Sequence, residues 1–218
     1  MFDFSPSSAI VIIVAVSLAP FAAVMVTSFT KIVVVLTLLR NALGLQQVPP
    51  NMVLNGLALI LSVYVMYPVG IQMSERINAL TPETLKANDV TRLVAMADVA
   101  KEPLREFLLR HSSSSERNFF LNTLRSNLPP EHQAKISNTD FIVVVPAFIV
   151  SELSVAFQIG FLIFLPFLIV DLIISNILQA MGVQMLSPTT VSLPFKLLLF
   201  VLVNGWVQLT HGLVLTYH

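Results

Sequence analysis

From Phe141 to Pro188 the chain reads FIVVVPAFIVSELSVAFQIGFLIFLPFLIVDLIISNILQAMGVQMLSP, too apolar for a water-facing surface. The same run carries Glu152, Gln158, Asp171, Asn176, Gln179 and Gln184. A lipid-spanning helix needs ~20 apolar residues, and this run is roughly twice that length. At a rise of ~1.5 Å per residue, one helix over all of it overshoots a bilayer. The stretch therefore either folds back or belongs to something larger than a simple span. Carboxylates at such depth are costly and face a bundle interior, a partner or a watery path. Any fold for this chain must reconcile lipid-like composition with buried polarity.

The whole composition points the same way. Hydrophobic residues make up 56% of the 218 positions and charged residues only 11%, with a mean hydropathy of +0.83, outside the range of soluble domains. Formal net charge is zero, so attraction to nucleic acid is not expected. There is no cysteine, which excludes disulfides and thiolate metal sites. Of the 24 acidic and basic side chains, 18 fall between Glu75 and Asp140. Only Asp3, Lys31, Arg40, Glu152, Asp171 and Lys196 lie outside. Apolar helices thus flank one polar insert. The divisions expected are an apolar helical hairpin over 1–73, a polar helical insert over 74–140 and a second apolar hairpin over 141–218.

Met1–Ser8 holds Asp3 and no Lys or Arg, whereas a cleaved signal wants a positive start; a retained helix is the expectation. Helix-compatible sequence runs from Ala9 to Leu45, with Pro20 as the expected kink. Arg40 is placed to snorkel, while Lys31 has apolar neighbours and needs a partner. Pro49-Pro50 cannot continue a helix. Asn51 is the expected cap of the next helix, Met52 to about Val69, with Asn55 near Asn51 on one face. Gly44 and Gly56 are read as points of close backbone approach.

In the insert, Thr81-Pro82-Glu83 reads as a helix start, Asp89 as another cap, and Lys101-Glu102-Pro103 as a restart. Ser112–Ser115 interrupts, and Glu116–Arg125 resumes. Asp140 is the expected cap of the central run. Gly182–Pro188 breaks that run, and Val191–Leu215 forms one last apolar helix. The fold class is all-α: membrane-associated broken helical hairpins around a helical soluble insert.

No motif for catalysis emerges: no phosphate-binding glycine loop, no dinucleotide fingerprint, no zinc-protease pair and no nucleophile elbow. His111, His132, His211 and His218 are scattered without ligand spacing, so no metal or other cofactor is expected. Glu152 and Asp171 admit two readings. They relay protons or ions in a coupled carrier, or they tie helices and subunits together by pairing with Lys31, Lys196 or a partner chain. On one straight helix they stand roughly 28 Å apart, too far for a paired-carboxylate site. An intramembrane hydrolase lacks any paired nucleophile and base. Met181 and Met185 suit a deformable seal or ordinary helix packing.

Several ordered blocks resemble the type III secretion export-gate family, the R subunit of injectisomes and its flagellar P relative (SctR/FliP). They are Lys31–Arg40 with Asn41-Ala-Leu-Gly-Leu-Gln-Gln-Val-Pro-Pro-Asn51, Leu54-Asn55-Gly56, Pro146-Ala-Phe-Ile-Val-Ser-Glu-Leu153, Ala156-Phe-Gln-Ile-Gly-Phe161, Leu165-Pro-Phe-Leu-Ile-Val-Asp171, Leu193-Pro-Phe-Lys196 and Val203-Asn-Gly-Trp206. They cover nearly all of the chain outside Glu75–Asp140. The resemblance implies a homo-oligomer of about five copies in an open, helically stacked ring. It implies closure by a T subunit, S hairpins outside, and contacts with U and V subunits. The implied place is the bacterial inner membrane, multi-pass, with the assembly extending toward the periplasmic side. Secreted unfolded polypeptide is the implied cargo, and a gasket of Met181, Val183, Gln184 and Met185 the implied constriction. Lys31, Arg40, Asn55, Glu152, Asp171, Lys196 and Asn204 become the buried polar or inter-subunit set. Three positions depart from the family pattern. Gln184 interrupts the methionines, Asn204 replaces an acid before Gly-Trp, and Ser154 replaces a lysine after Ser-Glu-Leu.

Overall fold

A computed structural model describes residues 17–18, 20–21, 23–80, 89–183 and 185–217, with the backbone alone for 89–95. The expected helix starts at Ala9 and Thr81, and the position of Gln184, lie outside the described residues. The described residues are mostly helical, without strands. The helices are α1 (Phe29–Ala42), α2 (Asn51–Asn78), α3 (Asp89–His111), α4 (Ser114–Ser126), α5 (Pro130–Gln133), α6 (Phe141–Ala180), α7 (Pro188–Leu202) and α8 (Gly205–Leu215).

The central run does not fold back before its glycine. It forms one 40-residue helix, α6, through Pro146 and Pro166. Its length is ~60 Å by the helical rise. Gly182, with φ +72°, then takes the left-handed backbone that ends helices cheaply. Arg40 and Asn51 brace the first turn of chain: the guanidinium Nη1 donates to Asn51 Oδ1 at 2.5 Å and to the Pro49 carbonyl at 3.4 Å. Asn51 therefore does not cap α2. Pro50 holds the cap position, and the asparagine carboxamide is turned to Arg40 instead.

Helix directions follow from the contacts. Ser28 Oγ donates to Ser62 Oγ at 3.1 Å near one end of α1, and Arg40 meets Asn51 near the other, so α2 runs antiparallel to α1. Lys31 reaches Glu152, and Leu38 lies against Gly160, so α1 and α6 run the same way. After Ser187 the chain returns along α6, with Ser192 beside Asp171 and Tyr217 beside Glu152. The core sits between these helices. Ile32, Val35, Leu36, Leu54, Ala58, Ala156 and Leu213 form its centre, and Phe107, Leu108, Val144 and Phe148 anchor α3 to the start of α6.

Several local expectations are corrected. The helix-compatible run leading to Leu45 is interrupted at residues 26–28. The second helix continues past Val69 and Pro68 to Asn78. Pro103 does not restart a helix: it is buried inside α3, where packing outweighs its missing hydrogen bond. Asp140 takes the cap position of α6, but its carboxylate accepts from the Ser137 amide at 2.8 Å rather than from the helix. The last apolar segment is not one helix. α7 and α8 meet at 61°, because Asn204 adopts φ 51°, ψ 46°, a left-handed conformation that asparagine tolerates better than most residues. Gly56 has open space where a side chain would go; the tight approaches are at Gly160, where a Cβ would lie 2.2 Å from Leu38 Cδ1, and at Gly205, where one would lie 2.1 Å from Phe200 Cε2.

Candidate functional site

Two ion pairs, one buried and one partly buried, fasten the helices at either end of α1. In the first, Lys31 Nζ lies 3.1 Å from Glu152 Oε1, with both side chains 3% exposed. The ammonium also sits 3.6 Å above the Tyr217 ring centroid, a favourable cation–π placement in a desolvated site. The Tyr217 hydroxyl donates to Glu152 Oε2 and approaches the Ser28 carbonyl at 3.5 Å. One carboxylate thus receives an ammonium on one oxygen and a phenol on the other. That satisfaction is what lets a charge exist at such depth.

In the second pair, Lys196 Nζ lies 2.6 Å from Asp171 Oδ2, and Ser192 Oγ donates to Oδ1 at 2.5 Å. Lys196 also donates to the Ala42 carbonyl at 3.2 Å. That carbonyl ends α1, where helices leave unsatisfied acceptors and favour a cation. One lysine therefore joins α7, α6 and α1.

The other expected polar residues are placed differently. Arg40 braces the α1–α2 connection, Asn55 is exposed on α2, and Asn204 is exposed at the bend before α8. None of the three touches either ion pair in the hydrogen bonds of the described residues. At the hairpin end between α6 and α7, Met181 is 69% exposed and Met185 99% exposed, while Val183 is half-buried. Among the described residues nothing covers these methionines.

Tyr217 is the member sequence reasoning missed. Its ring stacks at 6.0 Å on Phe107, which in turn packs on Phe148, so it links the end of α8 to both α3 and α6. A tyrosine just beyond an apolar helix is the only local signal, and it names no partner. Among the described residues, no three His, Cys, Asp or Glu side chains gather in a metal-binding arrangement.

The outward surface is the second feature of the site. α2 exposes Met52, Ile60, Val63 and Tyr67, and α6 exposes Phe157, Phe161, Leu162, Ile169 and Leu172. In the most apolar window of α6 only 11% of the residues are buried within the chain. Among the described residues, two helices are long and apolar enough to cross a membrane, or three if the bent α7–α8 pair is one span.

Paired charges inside and apolar faces outside define an all-helical membrane protein whose helices are made to be covered. The chain belongs to the FliP family, whose model matches residues 12–213. It is 49% identical over 211 residues to the hypersensitivity response secretion protein HrcR of Ralstonia nicotianae, covering 97% of each chain. It is 47% identical over 208 residues to the Yop proteins translocation protein R of Yersinia pestis, covering 95% of this chain and 94% of that one. It is also 46% identical to the virulence protein YscR of Salmonella typhimurium, over 93% of this chain and 92% of the relative. The similarity is broader than the sequence blocks suggest, since the matched range also takes in the polar residues 74–140.

Proposed function

We propose that the chain is a pore-forming core subunit of a type III secretion export gate, conducting unfolded polypeptide across the bacterial inner membrane. Relatives named as secretion and translocation proteins, matched over nearly their whole length, support a secretion-apparatus role. The observation that carries the pore reading is the exposed tip of the α6–α7 hairpin, where Met185 is 99% exposed. A flexible, polarizable side chain with no partner among the described residues suits a seal that closes against copies of itself and yields to varied cargo. In this reading copies stack through heterologous contacts into an open ring, joined by S and T subunits and neighboured by U and V. Gln184 supplies a polar group within the seal.

A proton- or ion-coupled carrier would need Glu152 or Asp171 free to cycle. Each is tied to a lysine and a hydroxyl, which supports a fastening role instead.

The test is electrical. In the complex purified with its S and T partners and placed in a planar bilayer, Met185→Gly should raise resting ion conductance above wild type. Unchanged conductance removes Met185 from the seal. A chain that purifies as a monomer and carries pH-dependent flux of a small solute, lost in Glu152→Gln, would overturn the pore reading altogether.

A further inference from the structure

His111 closes α3 where the polar helices meet the buried Lys31–Glu152–Tyr217 knot. Its ring lies 4.6 Å from the Phe107 ring and 5.1 Å from that of Tyr217, centroid to centroid. Nδ1 stands 2.9 Å from the Phe107 carbonyl one turn back. In the neutral ring that nitrogen carries the hydrogen, and Nε2 is left with its lone pair. The imidazole is only half-buried, because a cleft opens on either side of it. One, of ~420 Å³, is lined by Gln72, Glu106 and Tyr217. The other, of ~450 Å³, is lined by Ser113, Glu116 and Gln158. His111 and Arg110 border both. Protons can therefore reach a ring that packs directly on the tyrosine holding Glu152.

We propose that His111 is a pH-responsive latch: neutral, it holds the end of α3 and the start of α4 on Tyr217, and protonated, it loosens them. α2 lines the cleft beside it with Val65, Pro68, Val69 and Gln72, and charged and titratable groups lie around it on the other elements. They are Lys31 on α1, Glu152 on α6, Tyr217 beyond α8, Glu106 and Arg110 on α3 itself, and Glu116 and Arg117 on α4. Lys31 and Glu152 cancel as a pair. Arg117 is committed to the Leu109 and Ser112 carbonyls, and Glu106 to Arg76 on α2. A new charge on His111 therefore meets only Glu116, across the cleft, as a carboxylate not already in an ion pair among the described residues, and the packed face of the ring must still be desolvated.

Burial leads in lowering the proton affinity of the ring below its ordinary value of 6.5, with Lys31 and Arg110 adding to it and the Phe107 carbonyl and Glu152 opposing. A docked ring with lowered affinity contributes its full stabilisation above the undocked value. That contribution is lost progressively as pH falls below it. The latch is therefore tight at neutral pH and slackens on acidification.

Hydrogen exchange of the full chain in lipid nanodiscs, corrected for intrinsic rates, tests this between about pH 7.5 and about pH 5.5, an interval that brackets histidine titration. Protection of the amides around residues 104–118 should fall by about threefold to tenfold in the wild type. In His111→Phe, which keeps a ring on Tyr217, it should stay flat. A flat wild type, or the same fall in His111→Phe, overturns the latch. Selective carbon-13 histidine and tyrosine NMR on the unsubstituted chain guards against a variant that does not fold. A His111 resonance titrating below 6.5 and moving Tyr217 with it supports the latch, and one titrating with no response at Tyr217 refutes it.

Discussion

Lys31 and Glu152 are separated by 121 residues and meet at 3.1 Å in a nearly dry setting. A pair like this adds little stability relative to an apolar replacement of equal volume, but losing one partner strands the other as an uncompensated charge. Glu152→Ala is therefore expected to destabilise the fold by about 3–5 kcal/mol. The double substitution Lys31→Met with Glu152→Leu should recover most of that loss. Tyr217→Phe removes one hydrogen bond to a charged acceptor and should cost about 1.5–3 kcal/mol. Denaturant unfolding of the detergent-extracted protein measures all three, and a neutral Glu152→Ala would show that the pair does not hold the helices. At this scale the sequence was half legible. Apolar neighbours mark Lys31, Glu152, Asp171 and Lys196 as groups in need of partners, but nothing local says which cation meets which carboxylate. Tyr217 was hidden for a simpler reason: its ring is ordinary in an apolar segment, and only the fold brings its hydroxyl 65 residues back to Glu152.

Helices are better recorded in the sequence than their ends or their bends. Long apolar runs and the serine cluster before α4 announce their elements, and Ser113 does cap α4 by accepting from the Ser115 amide. Proline misleads here, because Pro68, Pro103, Pro146 and Pro166 all lie within helices. The cost of a missing amide hydrogen bond is offset by packing with neighbours, a long-range effect that a local reading cannot weigh. Asn204 misleads in the opposite direction. Its resemblance to an acidic position suggested a change of charge, whereas its backbone turns the chain between α7 and α8. A left-handed position costs a side chain with Cβ about 1–2 kcal/mol, a penalty glycine escapes and asparagine partly escapes. Asn204→Gly should leave thermal unfolding close to wild type, while Asn204→Val should lower stability by at least ~1 kcal/mol. If both variants unfold like wild type, the bend is not held by that residue. The packing of α1 on α6 has a similar pivot at Gly160, where even one methyl group would press on Leu38. Gly160→Ala should cost about 1–3 kcal/mol through overpacking, read in the same melts.

Across the molecule, the length of α6 decides more than its composition does. Exposed apolar side chains run from Ile142 to Ile177, ~50 Å of helix by its rise. A hydrocarbon core is ~30 Å thick. Fitting the whole stripe into lipid would need a tilt of roughly 55°, beyond the ~40° limit seen for spanning helices. At ordinary tilts lipid leaves part of this face uncovered, and we propose that protein covers the rest, which would make the greasy outer surface and the internally paired charges compatible. The chain contains no cysteine, so a single introduced thiol reports on its own surroundings. Phe161→Cys and Ile173→Cys replace side chains exposed at 64% and 52% in the isolated chain. In native membranes both should resist a bulky, membrane-impermeant maleimide. If sister chains and partner subunits provide the cover, short bifunctional crosslinkers placed at successive α6 positions should join this thiol to another subunit along one continuous stretch. Lipid cover would give slow labelling without crosslinks. Such a result along the entire helix would leave the extra apolar length unexplained and would count against an assembled gate, whereas crosslinks confined to one part of α6 would mark where protein contact gives way to the bilayer.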